Sequence, residues 1–109
     1  MFTIKQYNTI PSLEATLVDY LNQPVNLTAA SVTFSMRSLD NPTLVIGGDA
    51  VFVDRSGGIV AYEWDLGDTA VHGAFIGEFR VVFQDGSSET YPNGDYIRIH
   101  VVKSAGNAP

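Results

Sequence analysis

Between Phe75 and Gln84 the sequence alternates without a break, with Phe75, Gly77, Phe79, Val81 and Phe83 on one side and Ile76, Glu78, Arg80, Val82 and Gln84 on the other. A period of two is the pattern of an extended strand with two unlike faces; an α-helix would scatter these residues around its axis. The same period recurs along the chain. Leu13, Ala15 and Leu17 oppose Glu14, Thr16 and Val18, while Val32, Phe34 and Met36 oppose Thr33, Ser35 and Arg37. Val60, Tyr62 and Trp64 share one face of Ile59 to Trp64, and Ile97, Ile99 and Val101 share one face of Tyr96 to Val102. No stretch of helical length shows a 3.6-residue period with caps, and there is no internal repeat. Strands with one apolar face must bury it against another sheet.

Turn chemistry divides these runs. A short first strand carries Phe2 and Ile4 and closes at Asn8-Thr9-Ile10-Pro11; a turn at Asn22-Gln23-Pro24 leads to a brief edge segment at Val25 and Leu27. Leu39 to Gly48 reads as a loop with a short edge strand at Thr43 to Ile46, and both Gly47-Gly48 and Gly57-Gly58 read as turns. Ala50 to Asp54 and Ile59 to Trp64 form a hairpin, and Asp65 to Gly73 a crossover. Asp85-Gly86 marks a second hairpin, lengthened by Ser87-Ser88, whose return segment is interrupted at Pro92-Asn93-Gly94. About seven to nine short strands predict an all-β, immunoglobulin-like antiparallel β-sandwich, with a closed small barrel as the alternative. Trp64 is the expected core aromatic. With 109 residues there is material for one domain, expected over residues 1–103, followed by a small, polar, flexible tail at 104–109.

Composition narrows the function classes. There is no cysteine, hence no disulfide framework and no thiolate metal site. Six Lys+Arg against 12 Asp+Glu give a formal charge of -6, and the basic residues are scattered, which argues against nucleic acid and anionic membranes as partners. Met1 to Tyr7 does not resemble a signal peptide, and no apolar run approaches the ~20 residues of a membrane helix. The expected origin is the cytoplasm.

Chemistry is sparse. His72 and His100 are the only histidines; His100 alternates with apolar neighbours and reads as solvent-facing, and His72 sits in a loop beside Gly73 with a positional or interface role. No Gly-x-Ser-x-Gly elbow or phosphate loop is present. Asp49, Asp54, Asp65, Asp68, Asp85 and Asp95 fall at strand ends, where turn capping accounts for them better than a calcium cage. A carboxylate pair such as Glu14 with Glu78 would need the fold to bring it together. No catalytic residue, metal ligand or cofactor is therefore expected, and enzymatic activity is not. Tyr7, Tyr20, Tyr91 and Tyr96, near loops or on an outer face, are with His72 the candidate interface residues, because tyrosine combines apolar area with a polar tip.

The segments Thr9-Ile10-Pro11-Ser12-Leu13-Glu14-Ala15-Thr16-Leu17, Pro24-Val25-Asn26-Leu27-Thr28 and Val32-Thr33-Phe34-Ser35-Met36-Arg37, with Gly58-Ile59-Val60-Ala61-Tyr62-Glu63-Trp64 later, form a recognisable series. Asp68-Thr69, Gly73-Ala74-Phe75, Glu78 to Phe83, Asp85-Gly86 and Tyr91-Pro92 continue it. In these motifs the chain resembles the N-terminal domain of phage baseplate upper proteins over nearly its whole length. The resemblance implies an immunoglobulin-like module of a tailed-phage or prophage virion, a non-enzymatic baseplate, tail or fibre adaptor. Its implied partners are other virion structural proteins, and it is expected in several copies or as a homo-oligomer. The family's domain heads a longer protein whose later part reaches a receptor-binding protein. This sequence ends at Pro109 without that part, which shifts the expectation to a stand-alone adaptor, tail accessory or capsid decoration protein. A glycan or host-surface binding module is the alternative outside assembly.

Overall fold

A computed structural model describes residues 1–106. Nine strands form among them: β1 (Phe2–Lys5), β2 (Leu13–Thr16), β3 (Ser31–Ser38), β4 (Val45–Asp49), β5 (Val51–Asp54), β6 (Ile59–Tyr62), β7 (Gly73–Val82), β8 (Ser88–Tyr91) and β9 (Ile97–Val102). They make two sheets packed as a β-sandwich. The larger runs β1-β9-β7-β3-β4, with β8 also paired to β7, and the smaller runs β2-β6-β5. No helix among the described residues is long and apolar enough to cross a membrane.

The long alternating run becomes the central strand β7, and its inward set Phe75, Gly77, Phe79 and Val81 is buried. Its partner β3 alternates perfectly, burying Val32, Phe34 and Met36 and exposing Thr33, Ser35 and Arg37. From the small sheet Leu13, Leu17, Val60 and Tyr62 complete the core. Trp64 joins them as expected: it stacks on Phe2 at 5.9 Å, meets Tyr62 edge-on at 5.1 Å, and donates its indole N–H to the Pro11 carbonyl at 3.0 Å. Phe34 lies at the centre of this cluster, 4.7 Å from Tyr62, 5.1 Å from Phe79 and 6.0 Å from Trp64. Rings at such tilted or edge-on distances are favourable beyond their buried area.

Three expectations are corrected, and the choice between sandwich and barrel is decided for the sandwich. The pairing is not wholly antiparallel, because β1 lies parallel to β9, Phe2 opposite Ile99 and Lys5 opposite Val102. Antiparallel pairing is enforced by short connections, and almost the entire chain separates these two strands. No ladder joins the two sheets among the described residues, so the fold is a sandwich and not a barrel. Gly47-Gly48 is no turn but the middle of β4, opposite Ser35 and Phe34. A Cβ on Gly47 would come within 2.0 Å of the Phe34 carbonyl oxygen, so glycine there permits close backbone approach and not a reversal. Leu27, read as part of an edge, is fully buried: Val25 donates to Leu17 and Leu27 to Arg55 through their backbone N–H groups, drawing the segment across the end of the core.

The two hairpins form where expected. Phe83 N–H reaches the Ser87 carbonyl at 2.8 Å and Gly86 N–H the Phe83 carbonyl at 2.9 Å, closing a three-residue loop capped by the Asp85 carboxylate. In the other, register slips between Phe52 and Asp54, and the Arg55 guanidinium covers the Phe52 ring at 3.7 Å. The crossover from β6 to β7 is pinned to the N-terminal segment. Buried Thr69 donates its hydroxyl to the Asn8 carbonyl, and Gln6 donates its amide to the Ala70 carbonyl. Gln6 also accepts from the Ser104 N–H, so the first residue of the expected tail is held; residues 107–109 of that tail lie outside the described residues.

Candidate functional site

The end of the sandwich between β2 and β8 is open. A cleft of about 350 Å³ lies there, with Ala15, Leu17, Tyr91, Pro92 and Ile97 as its apolar walls and Asp19, Tyr20, Glu89 and Asn93 around its mouth. It exists because, among the described residues, β2 pairs only with β6 and β8 only with β7, leaving two unpaired strand edges beside one another.

On the β2 side the chain runs on through Leu17 and Val18 into a tight turn. Asp19 caps it, its carboxylate accepting from the N–H groups of Leu21 at 2.9 Å and Gln23 at 3.0 Å. This local capping is what aspartate does well, and it presents Tyr20 at the tip, 91% exposed. On the β8 side Tyr91 opposes Phe79 and so faces inward. Its hydroxyl donates to Glu89, two residues back on the same face, at 2.6 Å. Burial, then the bond to Glu89, then the charges of Glu89 and Asp19 push the Tyr91 phenol above its ordinary pKa. Two carboxylates thus flank one phenol at the mouth. The ion pair among the described residues is Arg98 with Asp95, so neither Asp19 nor Glu89 has a cationic partner.

The candidate interface residues do not form one patch. Tyr20 and Tyr91 meet at the cleft, but Tyr91 is only 3% exposed, which corrects its expected position near a loop or outer face: its register with Phe79 puts the ring in the core. Tyr96 is 47% exposed on the outer side of the large sheet, beside Glu78, Thr90 and Asp95. Tyr7 is half-buried with φ at 72° and donates its N–H to the Thr69 carbonyl. His72 is exposed in the loop before β7. Ala15, Leu17, Asp19, Glu89 and Ile97 were not anticipated as site residues, although the spacing of Glu89 and Tyr91 already assigns them to a common strand face.

The remaining candidates resolve into structural roles. His100 faces solvent from β9. Glu14 and Glu78 sit on different sheets. Asp54, Asp85 and Asp95 accept hydrogen bonds from nearby turn residues, and those contacts hold the Asp85 and Asp95 carboxyls below their ordinary pKa. No cluster of three or more potential metal ligands is found among the described residues.

Asp68 has a larger structural role. It accepts from the buried Tyr62 hydroxyl at 2.5 Å and from the Asp65 N–H at 2.9 Å. Burial first, then the Asp68 bond and the charges of Asp68 and Asp65, raise the Tyr62 pKa above its ordinary 10.0, in the same direction as Tyr91. A phenol held protonated by the fold contributes its full stability below pH 10 and loses it as pH rises through the folded-state pKa. Urea midpoints measured at increasing pH should therefore fall above pH 10. Tyr62→Phe should cost about 1 kcal/mol at neutral pH and make the alkaline fall shallower; an unchanged slope would show that Tyr62 does not couple to folding.

A comparison with protein-family models and with curated proteins finds no match to this chain.

Proposed function

We propose that this chain is a non-enzymatic structural protein of a tailed-phage or prophage virion, working as a baseplate, tail or fibre adaptor through contacts with other virion proteins. The observation that carries the protein-contact part of this reading is the pair of unpaired strand edges flanking an apolar cleft. Exposed edges are templates for pairing with another chain, and clefts of this kind provide pockets for the incoming side chains. The virion part rests on the sequence resemblance. Its motifs coincide with the alternating core set Leu13, Leu17, Val32, Phe34, Met36, Val60 and Tyr62. Mass spectrometry of particles purified after prophage induction, with tails and capsids separated, tests the reading. The chain is expected in the tail fraction at a fixed ratio to a tail protein. Recovery with capsids would replace the adaptor by a decoration protein, and absence from particles would overturn the virion assignment.

A glycan or host-surface role has one specific observation in its favour. The exposed Tyr96 ring sits among Glu78, Thr90, Asn93 and Asp95, an aromatic surface with polar neighbours. Trp64, the larger aromatic, is buried. Sugar titration of the purified chain should shift the resonances of Tyr96 and its neighbours if this reading holds, and silence across sugars would remove it.

A further inference from the structure

We propose that the cleft receives an extended segment of a partner protein, which adds as a strand along the free edge of β8 and places a lysine or arginine side chain between Glu89 and Asp19. The inference rests on the reading of this chain as a protein-contact module, and it does not depend on which particle carries it.

The sheet leaves a strand-shaped place. β8 and β9 lie in line along the same side of β7, pairing with Phe79 to Val82 and with Gly73 to Gly77 respectively. Outside β9 lies β1, but among the described residues nothing pairs with the outer side of β8. The hairpin fixes which backbone groups point there. Phe83 and Ser87 are hydrogen-bonded opposite one another, and bonded and non-bonded pairs alternate along an antiparallel ladder. Glu89 and Tyr91 therefore bond inward to β7, while the N–H and C=O groups of Ser88 and Thr90 face the free edge. Edges are commonly blunted by lysine, proline or a bulge. β8 reads Ser-Glu-Thr-Tyr and meets a proline only after its last residue.

Beneath this edge lies the cleft. Alternate side chains of an added strand would project inward, on the face that carries Glu89 and Tyr91. Ala15, Leu17 and Ile97 provide a surface for an aliphatic stem. At the mouth stand Glu89 and Asp19 without a cation, with the phenol of Tyr91 donating to Glu89 and Tyr20 exposed alongside. A long side chain that is apolar along its stem and cationic at its tip matches that order of surfaces, and the aromatic rings add cation–π attraction. An acidic segment would meet two carboxylates and the -6 charge of the chain.

The test is a titration of the isotope-labelled full chain, followed by NMR, with a short blocked peptide of alternating valine and threonine bearing one central lysine. Parallel titrations use the same peptide with norleucine or glutamate at the centre. The expected result is perturbation of the Ser88, Thr90, Leu17 and Ile97 resonances, with the lysine peptide binding roughly fivefold tighter than the norleucine peptide, the order of two partly screened ion pairs. Glu89→Gln, which can still accept from Tyr91, should shrink that preference to within about twofold, since it removes one of the two charges. Thr90→Pro should abolish binding by removing an edge N–H, in a position where proline is tolerated. Equal affinity for the three peptides, perturbation centred on Tyr96, or self-association that occupies the β8 edge in place of peptide would each overturn the proposal. None of these outcomes bears on whether the chain is found in particles, so the two readings fail separately.

Discussion

Phe34→Ala is expected to bring the protein to the margin of unfolding. Phe34 is 2% exposed and touches Tyr62 of β6, Phe79 of β7 and Trp64 just beyond β6, so the truncated site is walled by large rings from separate parts of the fold. Such walls collapse poorly, and the cost includes both the lost transfer free energy and the cavity left behind, about 3–5 kcal/mol for a buried phenylalanine. A domain of this length has about 5–15 kcal/mol of total stability. Urea unfolding followed by Trp64 fluorescence should show the midpoint falling sharply with little change in slope. Phe34→Leu, which retains most of the apolar volume, should recover more than half of the loss. A loss below about 1 kcal/mol for the alanine variant would mean that the two sheets do not depend on this ring for their packing.

The same ring shows why much of the fold is legible in the sequence. Val32, Phe34 and Met36 declare an inner face because their intervening neighbours are polar, and β7 does so over ten residues. Long strands buried on one side write their phase into the sequence. Short ones do not. The four residues of β8 hold one aromatic beside a serine, a glutamate and a threonine, too few to show which side is buried, and only the register with Phe79 turns Tyr91 inward. Gly47 and Gly48 resemble turn residues because the same absence of a Cβ serves a reversal and a close approach equally well. The parallel pairing of β1 leaves no local trace, since it joins the two ends of the chain. The cleft is less legible still. Leu17 and Tyr91 are distant in sequence and meet only because β2 joins one sheet, β8 joins the other, and neither finds a second neighbour among the described residues.

Gly58→Ala is expected to have an effect out of proportion to one methyl group. Gly58 has φ of +72°, in the left-handed region, where an L side chain costs roughly 1–2 kcal/mol. It also receives the backbone of two other segments: an added Cβ would lie 2.8 Å from the carbonyl oxygens of both Leu17 and Val25 and 3.0 Å from the Val25 nitrogen. Those atoms cannot rotate away as a side-chain tip can. Leu17 N–H bonds to the Gly58 carbonyl at 2.8 Å and Val25 N–H to the Leu17 carbonyl at 2.9 Å, so displacement would loosen the junction that seats Leu17 and Leu27 in the core. Gly86 separates the two contributions, because its φ of +89° imposes a similar conformational cost while a Cβ there would meet nothing within 4 Å. Gly86→Ala should lose about 1 kcal/mol and Gly58→Ala at least ~3 kcal/mol, the excess reporting the backbone clash. Equal losses in urea unfolding would reduce Gly58 to an ordinary turn glycine. Because Leu17 also lines the cleft, a Gly58→Ala chain that still folds should show perturbed Leu17 resonances, tying the seating of this junction to the shape of the proposed docking site.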